Sequence, residues 1–313
     1  MLPAERRTPE HAIGASFYSP EELVQSGNFS TALVHTIQTL LDLHQRLPRE
    51  VRHFADIQRW MVSQATIALH FERKLDPMKP PVTPGNVVGF FDGLPIASRN
   101  TILSFLMEMR HRRYVEEVAS HDRRQRVFEV SEMAEQLIRV WFHAHLEALD
   151  LIDGGSRIDL SNADLSLICY AHPRMMRLLR NRDDWFRPAP GVANFVKSDS
   201  GSSILHDLVM AAPDDWREHA RVSLGTVSPS LMAKRYSISS SHTSRLFSKA
   251  REQGYFGWSE QGYRGDCWLS TDLIRAYRYW QAIKFSVISQ AFHDALNMKT
   301  KVQDNRYHGS FES

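Results

Sequence analysis

The residues of this chain best suited to chemistry are cations and hydrogen-bond donors gathered at two places. Ser98, Arg99, Asn100 and Ser104 form one set, and Ser240, Ser241, His242, Ser244, Arg245 and Lys249 form the other. Arg123, Arg124 and Arg126 follow the first set, and Arg264 follows the second. Guanidinium, ammonium and hydroxyl groups so clustered bind phosphate oxygens, and arginine and asparagine also pair in two-pronged fashion with guanine and adenine edges. Catalysis leaves no comparable signal. The patterns GxSxG, GxxxxGK[ST], HExxH and GxGxxG are absent, so no catalytic residue, cofactor or enzyme activity is expected. Cys169 and Cys267 stand outside any CxxC spacing and read as free thiols. His143 and His145 lie two apart, which on a helix turns them to different faces, so no metal site is expected there.

Length and composition bound the answer further. With 313 residues there is room for about two domains, and 42% hydrophobic with 24% charged residues excludes disordered and fibrous classes. No apolar run approaches the roughly 20 residues that cross a bilayer, and no signal-peptide pattern opens the sequence, so a cytoplasmic protein without a membrane partner is expected. The net charge is only +2. Its placement says more: residues 97–126 hold seven arginines against four carboxylates, and residues 234–264 hold six cations against two. The positive charge sits where the two donor sets sit.

Those sets need elements to hold them. Residues 1–28 read as a tail with one short helix over 20–25. Apolar residues then recur at three- and four-residue steps from Thr31 to Leu47, a helix ended by Pro48, and a longer helix is expected over 50–75. After a proline-rich loop, the pattern predicts a short helix over 84–91, a turn at 92–95 and a helix opening at Ser98, whose hydroxyl can cap the first free amides. Ile102, Phe105, Leu106 and Met109 give that helix one apolar face and leave Arg99, Asn100 and Ser104 outside it. Residues 114–118 and 126–130 alternate as two strands around a charged tip, and a helix over 131–151 follows.

The same order returns later. Sliding the sequence by 142 residues places Ile96 on Ile238, Ser98 on Ser240, Thr101 on Thr243, Phe105 on Phe247 and Tyr114 on Phe256. The second copy predicts helices over 228–236 and 239–253, strands over 255–259 and 266–269, and a long closing helix over 270–298. On this alignment the second hairpin is three residues shorter. Helices over 161–182 and within 202–224 stand for the leading pair, and 183–200 reads as an irregular crossing.

Helix, turn, helix and a two-stranded hairpin is the order of a winged helix-turn-helix, whose second helix fits the major groove of DNA. Both copies resemble the MarR family of bacterial transcription regulators. The run Ser240-Ser241-His242-Thr243-Ser244-Arg245-Leu246-Phe247, with Gly254-Tyr255-Phe256 after it, is similar to that family's recognition helix and entry to the wing. Asp122-Arg123-Arg124 before residues 127–130 and Ser131-Glu132 is similar to its wing tip and the helix that follows. The resemblance spans residues 31–299. It departs at Arg112, which replaces the usual glycine before the first wing, and at Arg264-Gly265-Asp266, which replaces the Asp-Arg-Arg triplet of the second.

The resemblance implies a mainly α fold with small β-hairpin wings. Two MarR-like winged helix-turn-helix units, residues 29–152 and 153–300, would form an intramolecular pseudo-dimer, with tails at 1–28 and 301–313. It further implies a cytoplasmic, nucleoid-associated regulator that binds double-stranded DNA sequence-specifically through the two donor sets and the cationic tips. Because the sets differ, an operator with unequal half-sites is expected. A small-molecule effector of unknown identity is open, since Trp60, Phe71, Trp141, Phe142, Trp185 and Trp280 suggest an aromatic interior; plain core packing is the competing reading. The chain could act as a monomeric pseudo-dimer or as a homodimer. Two other functions stay open: a replication initiator or plasmid-maintenance protein, and a protein-interaction scaffold that does not bind DNA.

Overall fold

The computed structural model describes residues 17–46, 54, 56–94, 96–120, 122, 124–261 and 263–309, with backbone alone beyond 301. The chain is mainly helical, with two small antiparallel sheets. The first half contains α1 (Pro20–Gln25), α2 (Phe29–Arg46), α3 (Ile57–Leu75), α4 (Pro84–Phe90), α5 (Arg99–His111), β1 (Val115–Val118), β2 (Val127–Val130) and α6 (Glu132–Asp153). The second contains α7 (Arg157–Ala163), α8 (Leu167–Arg180), α9 (Asp183–Phe186), α10 (Pro190–Val196) and α11 (Gly201–Met210). A single 3-10 turn then leads to β3 (Arg221–Gly225), α12 (Pro229–Arg235), α13 (Ser240–Glu252), β4 (Phe256–Glu260), β5 (Arg264–Ser270) and α14 (Thr271–Gly309).

Local chemistry sets most of these boundaries. Asp56, Thr83, Ser98, Ser131, Ser228 and Ser239 each accept a backbone N–H from the first turn of the helix they precede, which satisfies donors a helix start leaves free. Pro84 and Pro229 open α4 and α12, where a missing N–H costs nothing. Gly154 ends α6 at φ +69.

Several expectations are corrected. The longer helix begins at Ile57 behind its Asp56 cap; residues 50–53 lie outside the described residues. The helix expected over 161–182 is broken at Asp164, whose carboxylate accepts the N–H and hydroxyl of Ser166 at 3.0 and 2.7 Å and so separates α7 from α8. The irregular crossing over 183–200 holds α9 and α10, and the stretch over 202–224 holds β3 besides α11. The closing helix runs to Gly309, so most of the expected tail at 301–313 is helix.

The internal correspondence is real but its offset is 141 residues. Helix caps Ser98 and Ser239, helix spans 99–111 and 240–252, and buried residues Ile102, Phe105, Leu106, Met109 against Thr243, Leu246, Phe247, Ala250 all superpose at that step. The left-handed residue that follows is Arg113 (φ 64) in one and Gly254 (φ 73) in the other, so Arg113 rather than Arg112 stands in the glycine's place. Each hairpin is closed alike, Ser131 N–H to the Tyr114 carbonyl and Ser270 N–H to the Tyr255 carbonyl, both at 2.9 Å. The second hairpin is therefore two residues shorter, not three. The sheets agree as well. Val82, just before α4, bridges Phe128 of β2, as β3 pairs with β5 just before α12.

Packing between the halves is reciprocal. α2 lies on α6 and α8 on α14, while α3 packs against α8 and α11 against α2. Thus each half's second leading helix covers the other's first, the self-complementary pattern of a two-fold interface. Buried aromatics Phe29, Phe71, Phe142, Phe285 and Phe292 fill the body between them. Glu135 fastens the first hairpin to this body, accepting from His70 Nε2 at 2.9 Å and Lys74 Nζ at 2.7 Å. His70 Nδ1 in turn accepts the Val130 N–H. These bonds, His70 foremost, hold the Glu135 carboxyl down at about 2.

Candidate nucleic-acid interface

α5 and α13 are amphipathic, and their outer faces carry the two donor sets. The inner face of each helix is fixed by its four buried residues, so the outer face follows from the 3.6-residue period. On α5 the exposed residues include Arg99, Asn100 and Ser104, and on α13 they include Ser240, Ser241, Arg245 and Lys249. Ser98 is exposed but engaged: its hydroxyl caps Thr101 N–H at 3.2 Å and meets the Thr101 hydroxyl at 2.9 Å. Ser239, which sequence reasoning passed over in favour of Ser240, is the matching cap and bonds Ser241 at 3.0 Å.

Two members of the second set do not face outward as expected. His242 and Ser244 are half-buried, and His242 Nε2 is enclosed without a partner. His242 lines a cleft of about 260 Å³ beside α10, together with Asn194, Ser198, Arg245, Leu246 and Lys249. Asn194 is buried, donates to the Leu246 carbonyl at 3.2 Å and leaves its own Oδ1 unpaired. Nothing in the residue order around Asn194 marks it, because its bond to Leu246 spans 52 residues of chain.

The hairpin tips differ. Arg124 is exposed, with its backbone N–H bonded to Asp122 at 2.9 Å. Arg126 is exposed too, but its guanidinium lies 3.7 Å from Glu117 and donates to the Met107 sulfur at 3.1 Å. Arg123 lies outside the described residues. In the second hairpin Arg264 is exposed opposite Glu260. Its neighbour Tyr263 folds back with its ring 4.8 Å from Trp258, and Arg251 sits 6.0 Å over Tyr263. Gly265 is required there: at φ +72, a Cβ would fall 2.2 Å from the Ser259 hydroxyl oxygen.

Ion pairs decide how much of the local charge stays available. Arg110 pairs with Glu117 at 2.8 Å, Arg112 with Glu108 at 3.5 Å and Arg235 with Asp207 at 2.5 Å. Among the described residues Arg99, Arg124, Arg245, Lys249 and Arg264 enter no ion pair, which leaves them for an outside anion.

The aromatic interior is divided. Trp60, Trp141, Trp185 and Trp280 line a cavity of about 230 Å³ beneath α5, whereas Phe71 and Phe142 are packed in the core away from it. His143 bonds Ser161 at 3.0 Å and His145 is fully buried. No cluster of metal-ligating side chains occurs among the described residues. Nor, among them, is any helix long and apolar enough to cross a membrane. Comparison of the chain with family models, with curated proteins and with solved structures finds no match in any of the three.

Proposed function

We propose that the chain is a sequence-specific, double-stranded DNA-binding transcription regulator, built as two MarR-like winged helix-turn-helix units joined into an intramolecular pseudo-dimer. The observation that carries this reading is the recurrence, at a step of 141 residues, of a serine-capped helix with a polar, cationic outer face beside an antiparallel hairpin. The reciprocal helix packing supports the pseudo-dimer, because it gives one chain the two-fold arrangement that reads adjacent half-sites.

In this reading α5 and α13 enter successive major grooves. Arg99 and Asn100 at the start of α5, and Ser240, Ser241, Arg245 and Lys249 on α13, contact bases and phosphates. Arg124, Arg126 and Arg264 meet backbone or minor groove. The half-sites differ because the two outer faces differ. Modulation would act by changing the angle between the units.

Binding of the full chain to a fluorescent duplex between 50 and 200 mM salt tests the proposal. Affinity should fall steeply with salt, and the variant Arg99→Ala, Arg124→Ala, Arg245→Ala, Lys249→Ala should lower the log–log slope by about 1 for each lost phosphate contact. A wild-type chain with no salt-dependent binding would overturn it and leave the scaffold function standing.

A further inference from the structure

We propose that Lys284 is a reactive amine and that the cavity around it captures a ring-bearing, apolar aldehyde as a Schiff base. This goes beyond the DNA reading and does not rest on it: the cavity and its amine would do the same chemistry in a chain that bound no DNA.

Lys284 projects from α14 between Ile283 and Phe285 and is 5% exposed. It lines the 230 Å³ cavity with Trp60, Trp141, Trp185 and Trp280, its Nζ 5.8 Å from the Trp141 ring centre. The ionisable groups around it come from four elements. His145 on α6 is bonded through Nδ1 to the Trp141 carbonyl at 2.7 Å, and His44 on α2 to the Ser203 hydroxyl at 2.9 Å. His206 on α11 shares a hydrogen bond with the Tyr277 hydroxyl of α14. Asp56 also lines the cavity, but its carboxylate is held by the Arg59 N–H at 2.9 Å and the Arg59 guanidinium at 3.5 Å.

Among the described residues no carboxylate pairs with Lys284. A buried ammonium without a counter-ion is costly, so the neutral amine is favoured. Burial alone pulls the group down to about 7, against about 10.4 for an ordinary lysine. A large share of the chains therefore holds a free lone pair at neutral pH, which is the form that attacks carbonyls. His145, His44 and His206 are pulled down as well, chiefly by burial. The surroundings are thus basic but largely uncharged. They suit a neutral carbonyl better than a carboxylate, which would shed its hydration without gaining a firm counter-charge.

Size and shape narrow the class. A cavity of about 150 Å³ holds benzene, so 230 Å³ admits one ring and a short arm. Trp185 and Trp280 stack at 4.4 Å, with Trp60 tilted 5.6 Å from Trp185 and 5.8 Å from Trp141. Such walls favour an aromatic face or edge.

The step balances without an oxidant. The amine lone pair forms a C–N bond, the carbonyl π pair moves to oxygen, and that oxygen takes the proton the nitrogen releases. The carbinolamine then loses its hydroxyl, protonated as water, while nitrogen gives up its second proton and C=N forms. His206 and Ser203 line the same cavity.

The test uses the full chain, benzaldehyde and sodium cyanoborohydride, with peptide mapping by mass spectrometry. The expected product is one benzyl group per chain on the peptide carrying Lys284, forming at a rate that follows an ionisation near 7. Lys284→Met should abolish it. Labelling that falls first on exposed Lys197 or Lys249, or equally on the folded Lys284→Met variant, would overturn the proposal. So would protection by benzoate with no covalent mark from benzaldehyde. Should Lys284→Met fail to fold, the site and pH profile of labelling in the wild-type chain decide alone.

Discussion

The outer face of α5 carries Ser104 and Glu108 where the equivalent positions of α13 carry Arg245 and Lys249. Arg110, Arg112 and Arg126 of the first unit pair with Glu117 and Glu108 of that same unit, whereas among the described residues the cations of α13 enter no ion pair. The turn differs too, with eight residues between α4 and α5 but four between α12 and α13. Beneath the helices the contrast reverses. Val115, Ala134 and Ile138 line the cavity under α5, while Phe256, Leu273 and Tyr277 occupy their places in the second unit and are fully buried. One frame therefore carries two specialisations: the second unit offers an open cationic face over a filled core, and the first a partly neutralised face over a cavity. Burial recurs at the equivalent positions of the two helices, while the side chains that fill those positions differ.

The contrast can be broken first in the core. Leu273→Ala should cost about 2–5 kcal/mol by opening a cavity in a filled site, whereas Ala134→Leu, which extends into existing space, should shift stability by less than about 1 kcal/mol. Urea midpoints measure both, and equal losses would mean the two cores are packed alike.

Acid should act on the shared body rather than on either outer face. Burial holds His44 at about 4 and His172 and His206 at about 3, below the unfolded value of about 6.5. Their stability is full above about 6.5 and is lost as pH falls towards the folded values, because the unfolded chain binds the extra protons. The loss is about 1 kcal/mol per histidine for each pH unit, so the unfolding free energy should drop between pH 6 and pH 5 by about 3 kcal/mol from these three alone. A flat profile there would contradict neutral burial.

On DNA, Arg245→Ala with Lys249→Ala should weaken binding about tenfold or more and lower the salt slope by about 2, while Arg99→Ala lowers it by about 1. Equal losses from the two helices would erase the asymmetry. The smallest effect is at the shared left-handed position. Gly254→Ala should cost about 1 kcal/mol, since nothing lies within 4 Å of the new Cβ and only backbone conformation opposes it. Arg113→Gly should change stability by less than about 1 kcal/mol, with relief of that strain offset by unfolded-chain entropy.

How much of this could be read beforehand depends on distance along the chain. Ser98 and Ser131 as caps, the apolar face of α5 and the two hairpins are local signals, and the structure places them as their neighbours dictate. The sequence pattern favours a step of 142 because Ser239, Ser240 and Ser241 offer several equal alignments; the burial of Leu246 and Ala250, the caps and the left-handed residues select 141. β3 gains its partner from β5, with Val222 opposite Leu269, far beyond any local period. His242 has the residue type of a base reader, but its ring direction is set by the packing of α10 on α13. Lys284 interrupts the apolar run Ala282-Ile283-Lys284-Phe285, a cue visible in the sequence whose meaning needed the cavity.

Selection of bound duplexes from a random pool by the full chain tests the tandem arrangement most directly. The proposed pair of winged units predicts a single site holding two half-sites of different sequence, about one helical turn or roughly 34 Å apart. A pool that stays random, or one that converges on a single unpaired half-site, would contradict two-unit recognition.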